Sequence, residues 1–64
     1  MNEAYRIRYI MRDWVGKPDP SGFGENTVGS NDPSWLHEYA TKLRSNGCRI
    51  VAFEKRVAGR YVTI

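Results

Sequence analysis

Cysteine, histidine and long apolar runs are scarce in this chain of 64 residues. Cys48 is the only cysteine and His37 the only histidine. One cysteine excludes an intramolecular disulfide, and two soft donors fall short of the four ligands that structural zinc usually takes. No metal and no other cofactor is expected. The longest unbroken apolar run is Ile-Val-Ala-Phe at residues 50–53, against the ~18 or more residues of a spanning helix. The first four residues are followed closely by arginines and lack the apolar stretch of a secretory signal. A lone cysteine without a signal favours the cytoplasm, with no membrane association. Beginning at Met1, the sequence reads as one whole small product, a single domain over residues 1–64. A domain this size buries only about 60% of the surface its unfolded chain exposes. Without a disulfide or metal, tight packing or self-association must make up the difference, so a homodimer is one expected route to stability.

The charge excess is small. Ten basic residues stand against seven acidic ones, a net +3, and seven of the ten are arginine. Arginine offers a planar fork of donors suited to phosphate or carboxylate, which lysine does not. An excess of this size permits nucleic-acid binding without indicating it.

Residues 4–14 alternate with period two. Tyr5, Ile7, Tyr9 and Met11 share one face, and Arg6, Arg8, Ile10 and Arg12 share the other. Aromatic and β-branched residues in that pattern predict a half-buried strand ending at Trp14. Residues 15–32 then carry four glycines and two prolines, which predicts a long Gly/Pro-rich loop. Structureless loops of that length are uncommon in compact domains, so a hidden strand over residues 25–29, pairing back on the first, is expected.

The helix signal follows. Asp32 suits the N-cap and Pro33 the first helical position. Leu36, Tyr39, Ala40 and Leu43 recur at helical spacing and build an apolar stripe, with His37 on the wet side. Asn46 and Gly47 end the helix, and Gly47 suits the left-handed C′ position. Ile7, Tyr9, Leu36, Ala40 and Leu43 are the expected core. Residues 48–57 and 60–64 predict a hairpin around Ala58 and Gly59 in one of two registers. A two- or four-residue loop sets Phe53 beside Ile64 and turns Val51, Phe53, Val62 and Ile64 to the core. A three-residue loop sets Phe53 beside Thr63 and turns Ile50, Ala52, Val62 and Ile64 inward, because a one-residue slip exchanges the faces of a strand. The first buries more apolar volume and is preferred. The order strand, long loop, helix, strand, strand implies an α+β fold, one sheet of three or four strands packed by a single helix. A helix crossing between parallel strands should do so right-handed.

Catalytic signals are weak. No motif sets a serine or cysteine beside His37, Cys48 opens a strand where a small buried residue belongs, and the seven carboxylates are scattered. The Ser21-Gly22-Phe23-Gly24 stretch lacks the Gly-Lys-Ser/Thr ending of a phosphate loop. Binding is therefore the expected activity. The leading expectation is a non-enzymatic protein-binding module, a regulator, adaptor or inhibitor of a larger machine, with Trp14, Phe23 and Trp35 as candidate anchors. So small and cysteine-poor a chain has the look of a viral or mobile-element accessory protein. The alternative is a nucleic-acid-binding module. Arg6, Arg8 and Arg12 share one strand face, on which neighbours two residues apart lie ~7 Å from each other, near the spacing of phosphates along a single strand. Arg49 and Lys55 join that face in the second hairpin register. Arginines lying over apolar neighbours on a solvated sheet would present the same pattern.

Overall fold

A computed structural model describes residues 3–17 and 24–64. The fold is α+β, a four-stranded antiparallel sheet packed by one helix. The strands are β1 (Tyr5–Ile10), β2 (Glu25–Ser30), β3 (Arg49–Val57) and β4 (Arg60–Thr63), and the helix α1 (Pro33–Ser45) lies between β2 and β3 in the chain. The sheet order is β2-β1-β3-β4. Both β2 and β3 run antiparallel to β1, so they are parallel to each other and α1 carries the chain across β1.

The first strand is shorter than its alternation predicts. Beyond Ile10 the chain makes a single 3-10 turn, Arg12–Trp14. The Trp14 N–H donates to the Met11 carbonyl at 2.8 Å and the Val15 N–H to that of Arg12 at 3.3 Å. Local bonds thus replace the ladder, and Arg12 leaves the strand's arginine row. The strand hidden in the glycine-rich stretch is present as β2, which pairs with β1 along its whole length. At its start the Met11 N–H donates to the Gly24 carbonyl at 2.7 Å. A Cβ on Gly24 would run into the Trp14 ring, so glycine here is what lets the indole lie against the backbone.

The helix forms as its caps dictate. The Asp32 side chain accepts from the backbone N–H groups of Ser34 and Trp35, satisfying two donors that a helix start leaves open. At the other end Gly47 takes φ +87°, and the N–H groups of Asn46, Gly47 and Cys48 close back on the last turn. Leu36, Ala40 and Leu43 are buried, and with Ile7 they form the centre of the core. Tyr5, Tyr9, Val28, Ile50 and Phe53 pack around it. Tyr9, expected in the core, is half-buried at its rim. Tyr39 lies on the helix flank rather than in the stripe, and His37 on the other flank stacks its ring on Phe53 at 4.6 Å.

The hairpin adopts the preferred register. Ile64 N–H donates to the Phe53 carbonyl at 3.0 Å, and Ala58 and Gly59 form a two-residue turn. The expected faces need correction, because the ladder between β1 and β3 shifts. Arg8 pairs with Ala52 and Tyr9 with Ile50, so Val51 is the extra residue of a β-bulge. The bulge lets Ile50 and Phe53, three apart, both reach the core and pushes Val51 into solvent. Val62 and Ile64 share the helix side of the sheet with Phe53, yet both are exposed, Ile64 to 67%. The helix packs chiefly on β2, β1 and β3, and Val62 of β4 stays exposed.

Both turn residues have positive φ, +52° at Ala58 and +80° at Gly59. Two-residue hairpins of this kind favour Asn-Gly because a Cβ resists the left-handed region. Ala58→Asn should therefore stabilise the fold by about 0.5–1 kcal/mol. Urea unfolding followed by circular dichroism checks this, and an unchanged or lower midpoint contradicts the turn geometry.

Candidate functional site

The side of the sheet away from α1 carries Arg6 and Arg8 of β1, and their partners are carboxylates. Period two sends Arg6 and Arg8 to this face, and the β1–β3 register sets Glu54 directly opposite Arg6. The Arg6 Nε donates to Glu54 Oε1 at 2.6 Å. The Arg8 Nε lies 3.4 Å from Oε2 of the same carboxylate, near enough for charge attraction but without hydrogen-bond geometry. Across the sheet, Arg8 Nη1 donates to Glu25 Oε1 on β2 at 3.1 Å. Two cations and two anions thus alternate as Arg6, Glu54, Arg8 and Glu25. The Glu54 side chain is only 8% exposed, against 31% and 37% for the arginines. The Arg6 guanidinium also lies 3.8 Å from the centre of the Tyr61 ring, a cation–π contact. Tyr61 is fixed in turn by its hydroxyl, which donates to the Glu3 carbonyl at 2.7 Å.

The nucleic-acid candidates are therefore only partly assembled. Arg6, Arg8 and Arg49 share this face, since Arg49 pairs with Ile10. Lys55 pairs with Tyr5 and stands on the helix side. Arg12 sits on the 3-10 turn with its stem over Gly47 and its Nε 3.4 Å from Asp13 Oδ1. The protein-binding candidates are dispersed too. Trp14 is half-buried against Gly24, while Trp35, 45% exposed, stacks on Tyr39 with ring centres 5.1 Å apart. The two tryptophans lie at opposite ends of β2. Phe23 lies outside the described residues.

Sequence reasoning missed a broad depression at the edge of the sheet. It is a groove of about 630 Å³ beside the first half of β3, walled by Val15, Arg44, Arg49, Val51, Phe53 and Ile64. β4 pairs only with residues 54–57 and, through Ile64, with Phe53. The outer backbone edge of β3 over residues 49–52 therefore has no ladder partner among the described residues. Side chains from both sheet faces line the groove because it runs along that edge. The signal available in the sequence was the unequal length of the two hairpin arms, which leaves the longer one partly unpaired.

A second depression, of about 360 Å³, is bordered by Tyr9, Tyr39 and Cys48. Burial raises the Tyr9 pKa above the usual tyrosine value, with further contributions from Tyr39 and Cys48. A raised phenol stays protonated at neutral pH and offers a hydrogen-bond donor rather than a base. Among the described residues no cluster of three or more His, Cys, Asp or Glu could hold a metal, and no helix is long and apolar enough to cross a membrane.

No family model, no curated protein and no solved structure matches the chain.

The paired face makes a specific prediction. Glu54→Gln strips the part-buried Arg6 guanidinium of its carboxylate and leaves Arg8 with Glu25 alone. After allowance for solvent screening of the arginines, it should cost about 1–2 kcal/mol. It should also create affinity for a single-stranded oligonucleotide, as the freed charges become available to phosphate. Chemical unfolding and an oligonucleotide titration check both, and a variant with unaltered stability and no gain in affinity contradicts the network.

Proposed function

We propose that this chain is a non-enzymatic protein-binding module, acting as a regulator, adaptor or inhibitor of a larger assembly. The observation that supports this reading is where the charge is paired and where the apolar surface is bare. Arg6 and Arg8, the heart of any phosphate-binding row, already hold Glu54 and Glu25. Meanwhile Val51, Val57, Val62 and Ile64 are all exposed on the β3–β4 hairpin. Val57, Val62 and Ile64 lie on the helix side of the sheet, continuous with the half-buried Phe53. Exposed apolar side chains gathered on one hairpin, in a domain with little core to spare, suit a surface completed by another protein.

The nucleic-acid alternative keeps one foothold, the exposed cations Arg44, Arg49, Lys55, Arg56 and Arg60. The two readings differ in salt dependence. Three phosphate contacts on a single strand give a slope of log affinity against log salt near −2, at about −0.7 per contact. An apolar interface is only weakly salt-dependent, and loss of one anchor costs about 2 kcal/mol or more.

The test is capture of partners by the purified chain from nuclease-treated and untreated lysate, repeated with Val62→Lys. The same protein should be retained with and without nuclease, and Val62→Lys should release it. Retention that vanishes with nuclease, together with a steep salt slope for a single-stranded oligonucleotide, would reverse the assignment.

A further inference from the structure

We infer that the free edge of β3 over residues 49–52 is a strand-addition site for an extended, carboxylate-bearing peptide segment of a partner protein; this rests on the protein-binding reading above. Three observations converge on it. The first is the backbone. β3 has nine residues and β4 four, and the ladder between them ends where Ile64 meets Phe53. An incoming strand laid end to end with β4 would continue that ladder along the roughly 13 Å of edge that four residues provide. Unpaired edges of this kind are natural templates for another chain.

The second observation is the shape. The groove lies along this edge, with Ile64 at the end nearest β4 and Val15 and the last turn of α1 on its other borders. The bulge at Val51 turns that side chain outward into the groove wall rather than into the core. An apolar side chain of the added strand can rest on Val51, Phe53 and Ile64, so the site offers a pocket for alternate residues as well as a backbone edge.

The third is charge. Among the described residues, the charged side chains that line the groove are Arg44 and Arg49, and no acidic side chain does. Glu54, the carboxylate of β3, shares a sheet face with Arg49 but does not line the groove and is held by Arg6 and Arg8. The carbonyls that end α1 are occupied by the N–H groups of Asn46, Gly47 and Cys48. Two guanidinium groups beside an apolar edge match a segment that alternates apolar residues with Glu or Asp. Such complementarity selects among partners and speeds their encounter.

The test uses the full chain, labelled with ¹⁵N, and peptides of about seven residues with blocked ends, enough to span the edge. One alternates valine with glutamate, a second valine with lysine, and a third is the glutamate peptide with alternate backbone nitrogens methylated. The glutamate peptide should shift the amides of residues 49–52 and Ile64, and bind about tenfold tighter than the lysine peptide. Methylation should abolish binding, since it removes the strand's donors while leaving its charge. Arg44→Glu with Arg49→Glu should reverse the preference between the charged peptides, with the far-ultraviolet spectrum showing that the variant is folded. Arg44→Gln with Arg49→Gln should bind the two peptides alike.

Several results would overturn the inference. They are shifts centred on β2 or the helix flank, equal affinity for both charged peptides, persistence after methylation, or no binding at millimolar concentration. A doubled mass in sedimentation without peptide, accompanied by shifts at residues 49–52, would assign the edge to a second copy of this chain instead. If the peptides fail while nuclease-resistant capture survives and still depends on Val62, strand addition falls and the protein-binding reading stands. If capture itself depends on nucleic acid, both fall.

Discussion

An α-helix with its side chains is about 10–12 Å across, whereas the outer axes of four strands lie about 14 Å apart at ordinary spacing. One helix cannot cover such a sheet. In this chain α1 settles chiefly over β2, β1 and β3, where Leu36, Ala40 and Leu43 meet Ile7, and Val62 and Ile64 stay exposed. The shortage of apolar mass that follows from 64 residues thus becomes a spatial asymmetry. One side of the helix layer is closed, and the hairpin side is open. Val62 and Ile64 alternate as core residues would, but nothing is left to bury them.

The same shortage shapes the opposite face. Among the described residues no second layer of helices covers it, and charged side chains occupy its middle. Arg6, Arg8, Glu25 and Glu54 supply opposite signs on neighbouring strands, and cross-strand pairs of that kind support a sheet. Glu54 is the pivot because it sits between both arginines. Its burial is tolerated only while those cations stay in place, since an unpaired buried charge is costly. The pairing also limits what the face can bind. Guanidinium groups already engaged by carboxylates must give up those partners before they can hold phosphate, and the price is paid in the stability of the sheet.

Local signals made much of this fold legible. Asp32, Pro33 and Gly47 mark the helix ends through chemistry that acts over a few residues. The apolar stripe at 36, 40 and 43 and the alternation around Ile7 identify the two surfaces that meet. The hairpin register was legible from the short turn at Ala58 and Gly59, although of the four side chains whose burial favoured it only Phe53 packs on the core. What escaped the sequence was non-local. Strand order decides that Glu54 lies opposite Arg6, and alternation within one strand carries no information about its neighbour. The bulge at Val51 breaks the period of two on which every face assignment beyond it depends. The length of β1 was overcalled because Arg12 and Trp14 continue the alternation after the backbone has turned. Of the candidate site, the arginine row was visible as residues, but its neutralisation was not. The groove was missed because unpaired backbone leaves no mark in residue type.

On the proposed reading, partners meet the β3–β4 hairpin and the edge of β3 rather than the paired arginine face. The most direct measurement is an amide footprint of the ¹⁵N-labelled chain in nuclease-treated lysate against the purified chain. Docking at the hairpin predicts signal loss or shifts confined to residues 49–53 and 60–64, with the amides of Arg6, Arg8, Glu25 and Thr27 undisturbed. A footprint centred on those four residues would contradict it.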